Sequence, residues 1–99
     1  MENDYEIIWT DLALEELEDT VEYLERKFSI REKDKLGDEI ERILSIINHN
    51  PNIFPVSNKG KVRKAVILKF NSMYYRIIEN QIQILSFFSN RQSPNKRKI

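Results

Sequence analysis

Apolar positions follow two different periods along this chain. Between residues 14 and 47 they recur at steps of three and four, and from residue 62 they alternate with polar positions. Residues 5–9 (YEIIW) are apolar, β-branched and aromatic, which predicts a short strand. Thr10 then offers an N-cap hydroxyl, with Asp11, Glu15 and Glu16 near the positive end of a helix dipole. Leu14, Leu17, Val21, Leu24 and Phe28 share one face of that helix, which should end near Lys27 or Phe28. Glu15, Glu18, Asp19, Glu22 and Glu25 form the solvated face opposite.

Ser29-Ile30-Arg31-Glu32 has the form of a capping box and opens a second helix. Leu36, Ile40, Ile43, Leu44 and Ile47 make its apolar face, and Asn50-Pro51 stops it. Gly37, inside that helix, costs up to about 1 kcal/mol relative to Ala and so points to close contact with the first helix. With almost no linker between them, the two helices form an antiparallel hairpin. Residues 50–61 (NPNIFPVSNKGK) read as a surface loop with Ile53 and Phe54 tucked against the core.

Three strands follow, over residues 62–70, 73–79 and 82–88, with turns at Asn71-Ser72 and at Asn80. Neither set of alternating positions is wholly polar in any of them, so the pattern does not choose the inner face. The order is β-α-α-β-β-β: an α+β fold with a mostly antiparallel sheet and the helical hairpin packed on one face. Sequence neighbours should be sheet neighbours, and the first and second strands should run antiparallel across the hairpin.

At 99 residues the chain makes one domain, residues 1–99, with a basic tail over 93–99. No cysteine is present, which excludes disulfides, thiol catalysis and zinc–thiolate sites and fits a reducing compartment. The acidic N-terminus is unlike a signal peptide, and no apolar run reaches the ~18 residues of a membrane span. These features predict a cytoplasmic protein with no membrane partner.

The net charge of zero conceals an asymmetry. Residues 1–50 carry 15 acidic and 6 basic side chains, net −9, and residues 51–99 carry 10 basic and 1 acidic, net +9. Such a division points to an anionic partner for the basic half, to neutralisation of the sheet by its own helices, or to both. The helical carboxylates lie on exposed faces and read as solvation. His49, the single histidine, falls in the last turn of the second helix, where its charge suits the dipole. Neither a metal nor a cofactor is expected, because no ligand cluster, phosphate loop or nucleophile–base arrangement is present.

The basic residues carry the remaining chemistry. Arg63, Lys64, Lys69, Arg76 and Arg91 fall on or beside the three C-terminal strands, with Tyr74 and Tyr75 interleaved. Cations beside aromatic faces suit phosphate contact and base stacking, and guanidinium groups can stabilise charge developing on a phosphate. The competing reading pairs Arg76 with Glu79 or an N-terminal carboxylate and places the tyrosines in the core.

The short strand ending in Trp9, the leucine-rich helical hairpin, the Asn50-Pro51 stop and the segment YYRIIENQIQILSFFSNRQSP together resemble the RelE/ParE toxins of type II toxin–antitoxin systems. The resemblance runs from Tyr5 to Pro94. It implies a small toxin held inactive by a cognate antitoxin, which touches operator DNA only through that antitoxin. RelE-like members cleave mRNA in the ribosome without a metal, and ParE-like members poison DNA gyrase. Arg76 matches the arginine of the family's tyrosine–arginine strand and Arg91 the basic position after the last strand. Both are implied catalytic residues if the chain is RelE-like. Lys69 and Lys64 match the family's strand lysines that contact RNA, and with Arg63, Tyr74, Arg91 and Gln92 they are the expected target- or nucleic-acid-binding residues.

The sequence departs from the RelE pattern after Arg91, where QSPNKRKI has neither tyrosine nor histidine to transfer a proton. That departure favours a ParE-like action on gyrase. A RelE-like ribonuclease is the alternative, followed by an inactive homologue that serves only as an antitoxin-binding module.

Overall fold

A computed structural model describes residues 5–57 and 60–90. Its elements are β1 (Glu6–Trp9), α1 (Asp11–Lys27), α2 (Ile30–His49), β2 (Arg63–Ile67), β3 (Asn71–Ile78) and β4 (Gln81–Ser89). They form the expected α+β order. The expected basic tail, residues 93–99, lies outside the described residues.

Local chemistry fixes the helix starts. Thr10 caps α1, its Oγ1 accepting from Ala13 N at 3.2 Å. The same hydroxyl donates to Ile84 O at 2.9 Å, and Thr10 N donates to that carbonyl at 3.1 Å. One residue therefore ends β1, starts α1 and fastens both to β4. Ser29 caps α2 by accepting from Glu32 N.

The sheet has the order β1-β4-β3-β2. β2–β3 and β3–β4 are antiparallel hairpins, but β1 pairs with β4 in parallel, Ile7 opposite Ile82 and Trp9 opposite Ile84. The sheet is thus mixed, and β1 and β2 run parallel where antiparallel was expected. The reason is the path of α1. Thr10 is held at Ile84 and Glu16 at Ser86 and Phe87, so α1 continues along the direction of β1 and does not fold back. The chain then reverses between α1 and α2 and again between α2 and β2, and two reversals restore the original direction. The end of α2 returns to the start of β1, where Tyr5 N donates to Asn48 Oδ1 at 2.9 Å.

The core lies between the helices and one sheet face. Leu36, Ile40, Ile43 and Ile47 of α2 and Ala13 and Leu24 of α1 pack with Ala65, Ile67, Met73, Tyr75, Ile82, Ile84 and Phe87. On β4 the inward set shifts from Ile82 and Ile84 to Phe87. Tyr74 pairs with Ser86 and Tyr75 with Ile84, so Leu85 is an extra, unpaired residue that changes the phase of the strand. This bulge explains why simple alternation did not sort β4 into faces.

Several local expectations are corrected. On α1 the buried positions are Ala13, Thr20 and Leu24, while Leu14 is 43% and Phe28 48% exposed. Small residues set the helix against the sheet, and Thr20 satisfies its hydroxyl on Glu16 O at 3.0 Å. Gly37 is not a close-contact residue, since a Cβ built there meets nothing within 4 Å. Phe54 packs against the core as expected, but Ile53 is exposed. The first hairpin turns at residues 68–70, not at Asn71-Ser72. Leu68 (φ 51°) and Lys69 (φ 69°) take the left-handed region, while Asn71 stays in β3, its Nδ2 donating to Ile67 O at 3.0 Å. The buried amide thus closes the loop from inside the strand.

Candidate target-binding face

The helices cover one face of the sheet, and strand alternation assembles the other. Lys64 lies opposite Tyr74, which lies opposite Ser86. Arg76 lies opposite Gln83, which lies opposite Ile8. Lys64, Tyr74 and Arg76 therefore share the open face as near neighbours, with Arg76 exposed and Lys64 and Tyr74 half-buried.

The other expected residues do not join them. Arg63 shares the parity of buried Ala65 and Ile67, and its Nη1 donates to Phe54 O at 2.7 Å and Asn52 O at 3.3 Å. It fastens the loop after α2 to the sheet. Lys69 sits at the tip of the β2–β3 hairpin, its Nζ 5.7 Å from the centre of the Phe70 ring. From Asn71 to Arg76 the strand advances roughly 17 Å, so Lys69 is remote from Arg76. Arg91 and Gln92 lie outside the described residues.

Tyr75, next to Tyr74 in sequence, points the opposite way. It is fully buried, and its hydroxyl donates to Pro51 O at 2.8 Å. Burial raises the pKa of this phenol above the ordinary tyrosine value, and the nearby Arg63 charge partly offsets that rise. The Tyr74-Tyr75 pair thus divides its labour, one ring for the open face and one for the core.

Arg76 is not quenched by Glu79 or by another carboxylate among the described residues. Its Nε donates to Gln83 Oε1 at 3.0 Å. Gln83 Nε2 donates to Gln81 Oε1, and Gln81 Nε2 to Glu6 Oε1, both at 3.4 Å. Sequence reasoning missed these three partners. The alternation Gln81-Ile82-Gln83-Ile84 was the available signal, since it places two amides on the same side of one strand.

His49 lies away from this face, at the end of α2, with Nδ1 3.2 Å from Ser45 O. Among the described residues no group of three or more His, Cys, Asp or Glu side chains is arranged to hold a metal ion. No helix there is long and apolar enough to cross a membrane.

A second surface feature is apolar. Trp9, Leu14, Leu17, Val21, Ile40 and Leu44 line a cleft of about 660 Å³ between α1 and α2, edged by Lys33, Asp34, Asp38 and Glu41. Leu14, which was expected to face the core, is exposed at this cleft, while Leu17 and Leu44 line it and also pack against the core.

The sequence matches the family model of the ParE toxin of the type II toxin–antitoxin system parDE over residues 7–94. Among curated protein sequences none matches. The fold is similar to a chain of the chromosomal ParDE toxin–antitoxin system from P. aeruginosa, with a TM-score of 0.73 and 18% identity over 89% of this chain and 98% of that one. It is also similar to the YoeB dimer from Staphylococcus aureus, with a TM-score of 0.59 and 19% identity over 83% of this chain and 92% of that one. With the family matched over nearly its whole length, the chain belongs to the RelE/ParE toxins of type II toxin–antitoxin systems, in their ParE branch.

Proposed function

We propose that this toxin arrests growth by a ParE-like action on DNA gyrase, engaging its target through Lys64, Tyr74 and Arg76. The observation that carries this reading is the chemistry of the open face. Two cations flank an aromatic ring there, while the single imidazole of the chain is on α2, away from them. With cations there and, among the described residues, no imidazole or carboxyl paired with them, the face is suited to holding negative charge and not to shuttling protons. A cognate antitoxin neutralises the toxin. We assign its seat to the apolar cleft between α1 and α2, because an apolar groove with exposed Leu14 and half-buried Trp9, Leu17, Val21 and Leu44 is the kind of surface a partner covers.

The test is expression of the chain without its antitoxin, followed by gyrase supercoiling assays and mapping of mRNA 5′ ends in the arrested cells. Gyrase inhibition with intact mRNA is expected, and Lys64→Ala or Arg76→Ala should relieve it. Ribosome-dependent mRNA cleavage would instead support the RelE-like reading, which the stacking-competent Tyr74 between two cations favours. Normal growth at full toxin abundance would leave only the antitoxin-binding module. Any role of Arg91 and Gln92 is read from the same assays with Arg91→Ala and Gln92→Ala.

A further inference from the structure

The hydrogen-bonded chain that crosses three strands to reach Arg76 has a fixed polarity. At one end is the Glu6 carboxylate, which accepts but cannot donate when ionised. It draws the amino group of Gln81 toward it (3.4 Å), leaving Gln81 Oε1 to accept from Gln83 Nε2 (3.4 Å). Gln83 Oε1 is thereby turned toward Arg76 and accepts from its Nε (3.0 Å). At the other end the guanidinium donates and cannot accept, so both termini demand the same orientation of both amides. The strand register places these groups in reach, with Glu6 opposite Gln81 and Gln83 opposite Arg76.

We infer that Gln83, oriented by Gln81 and Glu6, is a positioning residue that holds Arg76 by Nε and so presents its two Nη groups as a fork for an oxyanion. A guanidinium held by one edge keeps its remaining donors for bidentate capture and loses less rotational freedom when it binds. Glu6 itself belongs to β1, separated by β4 from the strand of Arg76, and forms no ion pair with it, so its charge anchors the chain without occupying the fork. The inference rests on the reading of the open face as the target-binding face, but its first test does not require activity.

That test is nuclear magnetic resonance on the full-length, ¹⁵N-labelled chain. The Arg76 Nε–Hε resonance should be displaced from the position of free arginine and slow to exchange with water. Gln83→Leu should return it there, and Glu6→Gln should move it part of the way. Titration with inorganic phosphate should shift Arg76 in the parent chain and bind several-fold more weakly to Gln83→Leu, although that variant melts at a similar temperature. In cells, Gln83→Leu should weaken arrest in the direction of Arg76→Ala. A parent resonance already at the free position, or one indifferent to Gln83→Leu, overturns the inference, as does unchanged phosphate affinity. If the parent chain causes no arrest, the proposed function fails while the resonance and phosphate results still decide the role of Gln83.

Discussion

The Glu16 carboxylate accepts from Phe87 N at 2.9 Å and from Ser86 Oγ at 2.8 Å. It thereby serves the stretch of β4 that extends beyond the end of β1. β1 pairs with β4 only as far as Trp9 opposite Ile84, and past that point a helical side chain supplies what a strand carbonyl would. Glu16→Ala should cost about 1–3 kcal/mol, because it leaves a half-buried backbone donor unsatisfied. Chemical denaturation of the two proteins checks this. A loss no greater than that of Glu15→Ala would make Glu16 one more solvated carboxylate near the helix start.

Tyr75 gives a pH dependence of definite sign. Its folded pKa lies above its unfolded value, chiefly because of burial, so above about pH 10 the unfolded chain releases the phenolic proton while the folded chain retains it. Its contribution to stability is complete below the unfolded pKa and declines as pH rises through the folded one. Tyr75→Phe removes the bond to Pro51 O at a cost of about 0.5–1.5 kcal/mol at neutral pH. It should also flatten the decline in stability on the alkaline side, as read from denaturant midpoints across pH 8–11.

Arg63 and Lys64 are adjacent in sequence and should separate cleanly in experiment. Arg63→Ala releases the carbonyls of Asn52 and Phe54 and should lower stability by about 1–2 kcal/mol. Lys64→Ala should leave the melting temperature near that of the parent and weaken growth arrest. Equal loss of stability in both would place Lys64 in the scaffold too.

The α1–α2 cleft predicts a second separation. Leu14 is exposed and lines it, so Leu14→Glu should leave the toxin folded and active yet poorly neutralised. Co-expression with the antitoxin and co-purification of the pair read this directly. Full neutralisation of the variant would move the antitoxin's seat elsewhere.

The parts legible in the sequence are those whose causes are local. Thr10 and Ser29 announce the helix starts, Asn50-Pro51 marks the stop, and Leu36, Ile40, Ile43 and Ile47 identify the buried face of α2. The parts that were not legible depend on long-range pairing. Nothing near residue 6 announces that β1 will lie against residue 81. Nor does anything local reveal that Leu85 is an extra residue, so the change of inward set from Ile84 to Phe87 was hidden. The basic cluster was legible as a group, but its division was not. Arg63 and Lys64 face opposite ways by strand alternation, but which of them faces inward is decided by the burial of Ala65. Polar positions carried the least local signal, which is why Glu16 was counted among solvating carboxylates and Gln83 was overlooked.

The position of β4 between β1 and β3 has a consequence for synthesis. Of the described strands, the last made is the one that joins the first to the rest of the sheet, and Glu6 meets Gln81 across a sequence separation of 75. While the chain is being translated, β1 has no partner, the helical hairpin has no β4 to rest on, and Arg76 has no Gln83 to hold it. Pairings so distant in sequence form late in folding. The basic face is thus assembled only after β4 has been made and has joined β1 to β3, so its formation trails the synthesis of the residues that compose it.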